Sequence, residues 1–219
     1  MQTSKYLLDE SRELWDEMLS HAFLRDIGEG NLEDQTFHQW LRQDYEFVRA
    51  ALPFVSAIKS KAPAHHLKPL AEAELALHDE LDLFQERAEN LGVDVSEVAR
   101  NLTTQSYIQH LMASAYREDY PTALTVYWTA EKAYHESWKQ VEPHLSEDHA
   151  WYPFVENWAG EAFAEFVEFL GGCLNEVSSD RNGQQKQHLL EQFQWTVRYE
   201  IAFWDMAYGE AGEEWLISR

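Results

Sequence analysis

Apolar and aromatic residues recur every three or four positions along almost the whole chain. In three of these stripes a carboxylate stands where the spacing calls for an apolar residue. Asp44 lies in the stripe Phe37, Trp40/Leu41, Asp44, Phe47/Val48, Ala51; Glu131 lies in Leu124, Tyr127/Trp128, Glu131, Tyr134, Trp138. Glu200 lies in Phe193, Thr196/Val197, Glu200, Phe203/Trp204, Ala207. The recurrence argues for helices and against strands, whose faces alternate every second residue. It also predicts that the three acids are buried. An isolated ionised carboxylate in an apolar interior is costly, so such groups are paired, hydrogen-bonded or protonated. One alone can be satisfied by a core Tyr, Trp or Arg. Three on separate helices favour a shared pocket and acid–base chemistry.

The same spacing predicts a helix over 3–19, a turn at 28–31, and a helix from 33 to about 58 with a kink at Pro53. A long helix opens at Pro63 and stops near Gly92, where glycine suits a helix end. A short, cap-like turn follows at 94–97, then helices over 103–118 and from 119 to about 141, before Pro143. A further helix covers 153–174, a loop 178–183, and the last long helix 184–208, leaving a tail with Trp215. No strand alternation, repeat or linker interrupts this order. The expectation is one all-α domain over residues 1–219, a bundle of about seven or eight helices.

Composition narrows the partners. With 17 basic and 39 acidic residues the net charge is −22, which disfavours nucleic acid and anionic membrane. No stretch is apolar for the length that crosses a bilayer, and no signal peptide is read at the N-terminus, so a cytoplasmic protein is expected. The single cysteine, Cys173, excludes an internal disulfide and fits a reducing compartment. No base lies beside it in sequence, and an inert thiol is expected. Thirty aromatic residues (9 Trp, 10 Tyr, 11 Phe) suffice for a core and for a pocket that takes a flat ring.

Several motifs occur together. They are His21 to Leu32 with Phe37 and Leu41-Arg42-Gln43-Asp44-Tyr45; Ala73-Glu74-Leu75-Ala76-Leu77-His78; Ser106-Tyr107 with His110; and Tyr199-Glu200 through Phe203-Trp204 to Tyr208. In this order they resemble the TenA/thiaminase II family over most of the chain. The resemblance implies a heme-oxygenase-like helical fold that binds no heme, with no metal or organic cofactor. It implies a pocket for an aminopyrimidine derived from thiamin, hydrolysed from the 5-aminomethyl or 5-formylaminomethyl form towards hydroxymethylpyrimidine. It also implies a homo-oligomer, a dimer or tetramer, in which aromatics such as Trp215 could serve an interface. Carried over by position, Asp44 matches the aspartate that grips the pyrimidine, Tyr107 the pocket tyrosine, and Glu200 the acid–base glutamate. Phe47 stands where the family often has tyrosine, and Trp158 precedes Ala159-Gly160 where a tyrosine precedes two glycines. The nucleophilic cysteine is missing, and spacing between Tyr107 and Trp158 puts Glu131 about where it belongs.

These residue types suit the chemistry. A 4-aminopyrimidine offers an exocyclic amine beside a ring nitrogen, and a carboxylate such as Asp44 can accept from both when the ring is protonated. Phe47, Tyr107, Trp128 and Trp158 could sandwich the ring. Release of an amine from the exocyclic methylene needs a proton, which Glu200 can supply before taking one from water. Without a thiolate, Glu131 could activate water or attack directly, and the sequence leaves both open. Thiamin cleavage is thereby disfavoured against hydrolysis of a smaller aminopyrimidine.

Two rivals use the same residues differently. A di-iron oxidase would need clustered His and acidic ligands; Glu74/His78 and Glu131/His135 have suitable helical spacing, but no histidine follows His188. A pyrimidine-binding protein without turnover, or a regulator, is the other. A chain of this charge without a basic stripe is poorly built for DNA.

Overall fold

The computed structural model describes residues 2–209, and no strand occurs among them. The helices are α1 (Thr3–Glu10), α2 (Arg12–Leu19), α3 (Ala22–Gly28), α4 (Asp34–Lys59), α5 (Leu67–Asn90), α6 (Leu102–Arg117), α7 (Tyr120–Val141), α8 (Tyr152–Ala159), α9 (Glu161–Val177) and α10 (Gly183–Ala207). Short 3-10 turns, Ala64–His66 and Glu142–His144, lead into α5 and out of α7. The tail holding Trp215 lies outside the described residues.

Two stretches expected as single helices are divided. The first breaks at Ser11, whose φ of −121° is non-helical. The stretch expected over 153–174 breaks at Gly160, which is extended at φ −66°, ψ 160° and caps α9. A side chain there would meet the Glu156 carbonyl oxygen at 3.0 Å, so the close turn favours glycine. The helix α3 was not expected. Its N-terminus is capped by an uncommon residue, His21, whose Nδ1 accepts from the Phe23 amide at 3.1 Å. Residues 94–97 form the expected short turn: Asp94 Oδ1 accepts from both the amide and the hydroxyl of Ser96.

The chain clusters into two compact units, one of residues 2–32 and 121–201, the other of residues 33–120 and 202–209. In the first, α1 is tied to α9. The Ser4 amide donates to Asn175 Oδ1 and Asn175 Nδ2 to the Ser4 hydroxyl, each at 2.9 Å. The helix α2 meets α7, with Trp15 Nε1 donating to Glu136 Oε2 at 2.6 Å. Trp15 stacks on Phe193 at 5.5 Å, and Phe193 lies 6.0 Å from Trp128. Each such buried ring contributes about 2–3 kcal/mol through the apolar area it removes from water.

The second unit is built around α4, whose inward stripe from Phe37 to Ile58 is buried. Beside that stripe the half-buried Tyr45 packs on Phe84 of α5 at 6.0 Å. Beside it Glu74 accepts from Ser56 and Lys59. On the α6 side, Gln43 donates to the Ala99 carbonyl at 3.0 Å and accepts from the Asn101 amide at 3.1 Å. Asn101 then caps α6 by accepting from the Thr104 amide at 2.8 Å. Glu46, 3% exposed, pairs with Arg100 Nε and Arg49, both at 2.9 Å. One turn of α4 therefore fixes where α6 begins.

Candidate functional site

In the second unit the structure brings together Asp44, Phe47 and Tyr107. Asp44 is wholly buried on α4, between Gln43 and Glu46, the side chains that hold the 99–101 segment. Phe47 follows one helical turn later on the same face. Its ring lies 4.5 Å from Tyr107 and 5.6 Å from Phe203, and Tyr107 lies 6.4 Å from Phe203. The three rings form a tilted aromatic pad. Phe203 was not among the expected site residues. Its place three residues after Glu200 on α10 is the sequence signal that could have found it.

His110 stands one turn after Tyr107 on α6. Burial pushes its imidazole down to about 4, so it is neutral near pH 7.

In the first unit lie Glu131, Trp128, Trp158 and Glu200. Glu200 is wholly buried on α10, and Glu131 is partly buried on α7. Around Glu131, Val126 and Ala130 are apolar and buried, and the Thr129 hydroxyl donates to the Thr125 carbonyl at 2.7 Å. No thiol or poised hydroxyl stands in that stretch of α7. Trp158 at the end of α8 stacks on Trp138 at 5.5 Å and meets Tyr134 edge-on at 5.4 Å. Its carbonyl accepts from His135 Nδ1 at 2.8 Å. Trp128 has its ring against Phe193 and its indole nitrogen beside Gly171, at the wall of a surface groove between α1, α7 and α9.

The single cysteine fits no nucleophilic role. Cys173 is buried on α9, and burial, reinforced by Glu176, pushes its thiol up to about 11. The pairs that suggested a di-iron centre are engaged elsewhere: Glu74 by Lys59 and Ser56, His135 by the Trp158 carbonyl. Among the described residues neither pair gathers a third His, Cys, Asp or Glu around a common point.

The sequence profile of the TENA/THI-4/PQQC family matches residues 8–210. A "Probable bifunctional TENA-E protein" of Glycine max is 26% identical over 92% of this chain and 91% of its own length. An "Aminopyrimidine aminohydrolase" of Halalkalibacterium halodurans is also 26% identical, over 93% of this chain and 94% of its own. The solved structure of a TenA homologue from Pyrococcus furiosus superposes with a TM-score of 0.90 at 30% identity, covering 94% of this chain and all of that one. A Shewanella denitrificans domain described as having a heme oxygenase-like fold superposes at 0.75 with 13% identity, covering 94% and 92% of the two chains. The fold is thus all-helical and heme-oxygenase-like, and the chain belongs to the TENA/THI-4/PQQC family.

Proposed function

We propose that this protein is an aminopyrimidine aminohydrolase of thiamin salvage. It hydrolyses a 5-aminomethyl- or 5-formylaminomethyl-4-amino-2-methylpyrimidine to the hydroxymethylpyrimidine, using one water per C–N bond cleaved. The observation that carries this reading is Asp44, a wholly buried carboxylate one helical turn from the pad of Phe47, Tyr107 and Phe203. A carboxylate edge beside aromatic faces is what a flat, amidine-edged ring requires. The names of the relatives support the same substrate class.

In this reading Asp44 accepts from the exocyclic amine and the protonated ring nitrogen, while Phe47 and Tyr107 lie against the ring. Glu200 protonates the departing nitrogen and recovers a proton from water. Glu131 replaces the cysteine of other family members and directs water to the exocyclic carbon. Trp158, fixed by its stack on Trp138, and Trp128, against Phe193, are further aromatic walls. The match over 8–210 supports a single functional domain, and the family resemblance supports a homo-oligomer. No helix among the described residues is long and apolar enough to cross a membrane, in keeping with a cytoplasmic place of action. The test is release of ammonia from 5-aminomethyl-4-amino-2-methylpyrimidine by the purified protein. Binding of the pyrimidine without ammonia release would leave a binding protein and refute the enzyme.

A further inference from the structure

Thr104 is wholly buried on α6, and its hydroxyl has no hydrogen-bond partner among the described residues. The buried hydroxyls of Ser114, Thr129 and Thr196 each donate to a carbonyl one turn earlier in their own helix. Thr104 lacks that outlet. Arg100, four residues back, precedes the cap residue Asn101, which is extended at φ −75°, ψ 176°, so the Arg100 carbonyl is not part of the helical ladder. A buried hydroxyl left unpaired costs free energy that a ligand can recover.

The residues that flank Asp44 also set the place of this hydroxyl. The helices α4 and α6 run side by side in one direction. Gln43 holds Ala99 and Asn101, Phe47 meets Tyr107, and Lys61, just beyond α4, donates to the Ala115 and Glu118 carbonyls at the far end of α6. Asp44 stands between Gln43 and Phe47. Its level on α6 therefore falls between Asn101 and Tyr107, which is the level of Thr104. Thr104, Tyr107 and Leu111 recur at helical spacing on the buried face of α6. The unpaired hydroxyl thus shares a face with the pad tyrosine, at the height of the buried carboxylate.

A 4-amino group carries two hydrogens. When a carboxylate accepts from the protonated ring nitrogen and from the amine hydrogen beside it, the second amine hydrogen needs another acceptor. Ring faces are weak acceptors, and a hydroxyl lone pair is a good one. We propose that Thr104 is a further substrate-binding residue, whose hydroxyl accepts the second hydrogen of the pyrimidine 4-amine. This role rests on Asp44 gripping the pyrimidine as proposed above: Asp44 orients the ring, and Thr104 completes the pairing of its amine.

The test is calorimetric titration of the full chain with hydroxymethylpyrimidine, with Thr104→Val and Thr104→Ser beside the wild type. Valine keeps the shape without the hydroxyl and should weaken binding about three- to tenfold, the worth of one hydrogen bond between uncharged groups. Serine keeps the hydroxyl and should bind as the wild type does. With ligand ¹⁵N-labelled at the 4-amine, Thr104→Val should move one of the two bound amine proton resonances. The melting temperature of ligand-free Thr104→Val should hold or rise, because the hydroxyl has no partner to lose; loss of a structural hydrogen bond would lower it by about 2–4 °C. Thr104→Ala serves in place of the valine variant should that one not fold. Absence of pyrimidine binding by the wild type would sink the role of Asp44 and that of Thr104 with it. Wild-type binding with unchanged affinity in Thr104→Val, equal losses in the valine and serine variants, unmoved amine resonances or a lowered melting temperature would overturn the role of Thr104 alone.

Discussion

Exchanging the two wholly buried carboxylates for amides separates binding from turnover. Asp44→Asn and Glu200→Gln are nearly isosteric, and both positions have zero exposure, so solvent neither screens the change nor fills in for the lost group. Asparagine keeps one acceptor edge of Asp44 but replaces the other with donors, facing the pyrimidine amine with a like group. Each charge-assisted hydrogen bond is worth about 1.5–3 kcal/mol, and losing one while misplacing a donor costs about 3–4 kcal/mol in total. At 1.4 kcal/mol per decade this weakens hydroxymethylpyrimidine by about 10²–10³. Glutamine at 200 cannot exchange a proton, so turnover should fall by the ~10²–10⁴ that general acid–base catalysis supplies, with binding nearly intact. Calorimetry with hydroxymethylpyrimidine and an ammonia assay on aminomethylpyrimidine read the two effects separately, and thermal melts establish that both variants fold. Near-normal turnover in Glu200→Gln would pass the acid–base role to Glu131. Unaltered binding in Asp44→Asn would remove the pyrimidine from Asp44 altogether.

Gln43→Ala deletes the clamp on Ala99 and Asn101 and strands two backbone groups, costing about 2 kcal/mol. Tm should drop by roughly 4–8 °C, with faster hydrogen exchange in the first turn of α6; unchanged exchange there would refute the clamp. Trp15→Phe keeps a ring against Phe193 but loses the hydrogen bond to Glu136, for about 1.5–3 kcal/mol by chemical denaturation. A loss below measurement would show that Glu136 is satisfied by Lys132 alone. His110 supplies a pH dependence: the unfolded imidazole takes a proton near 6.5, the folded one only near 4. Stability is therefore fully present above pH 6.5 and falls as the pH drops towards 4, because the unfolded state binds the extra proton. The wild-type melting temperature should fall more steeply over that window than that of His110→Gln. Parallel curves would refute it.

The helical reading succeeded where burial was continuous. The stripe around Asp44 reads as helix because Phe37, Trp40, Leu41, Phe47 and Val48 all point one way, and α4 buries them all. The breaks at Ser11 and Gly160 were hidden because apolar spacing carries on across them; only backbone geometry interrupts the helix. The cap on α3 went unread because histidine rarely fills that role. Gln43 and Glu46 look like ordinary polar residues beside a stripe. Apart from Arg49, one turn from Glu46, their partners lie 54 to 58 residues away, a distance over which local pattern carries no information. Periodicity placed Asp44 and Glu200 in the interior but could not show that Phe203 completes the pad with Phe47 and Tyr107. That grouping belongs to tertiary packing.

The burial of Cys173 bears on how this protein ages. Oxidants attack thiolates, and a thiol held near 11 offers almost none at neutral pH. The ladder from sulfenic to sulfonic acid therefore has no accessible first rung here. On the proposed assignment, in which the acid, base and water-directing groups are all carboxylates, activity should survive peroxide exposure that silences thiol-dependent members of the family. Thiol-directed alkylating agents should leave it untouched for the same reason.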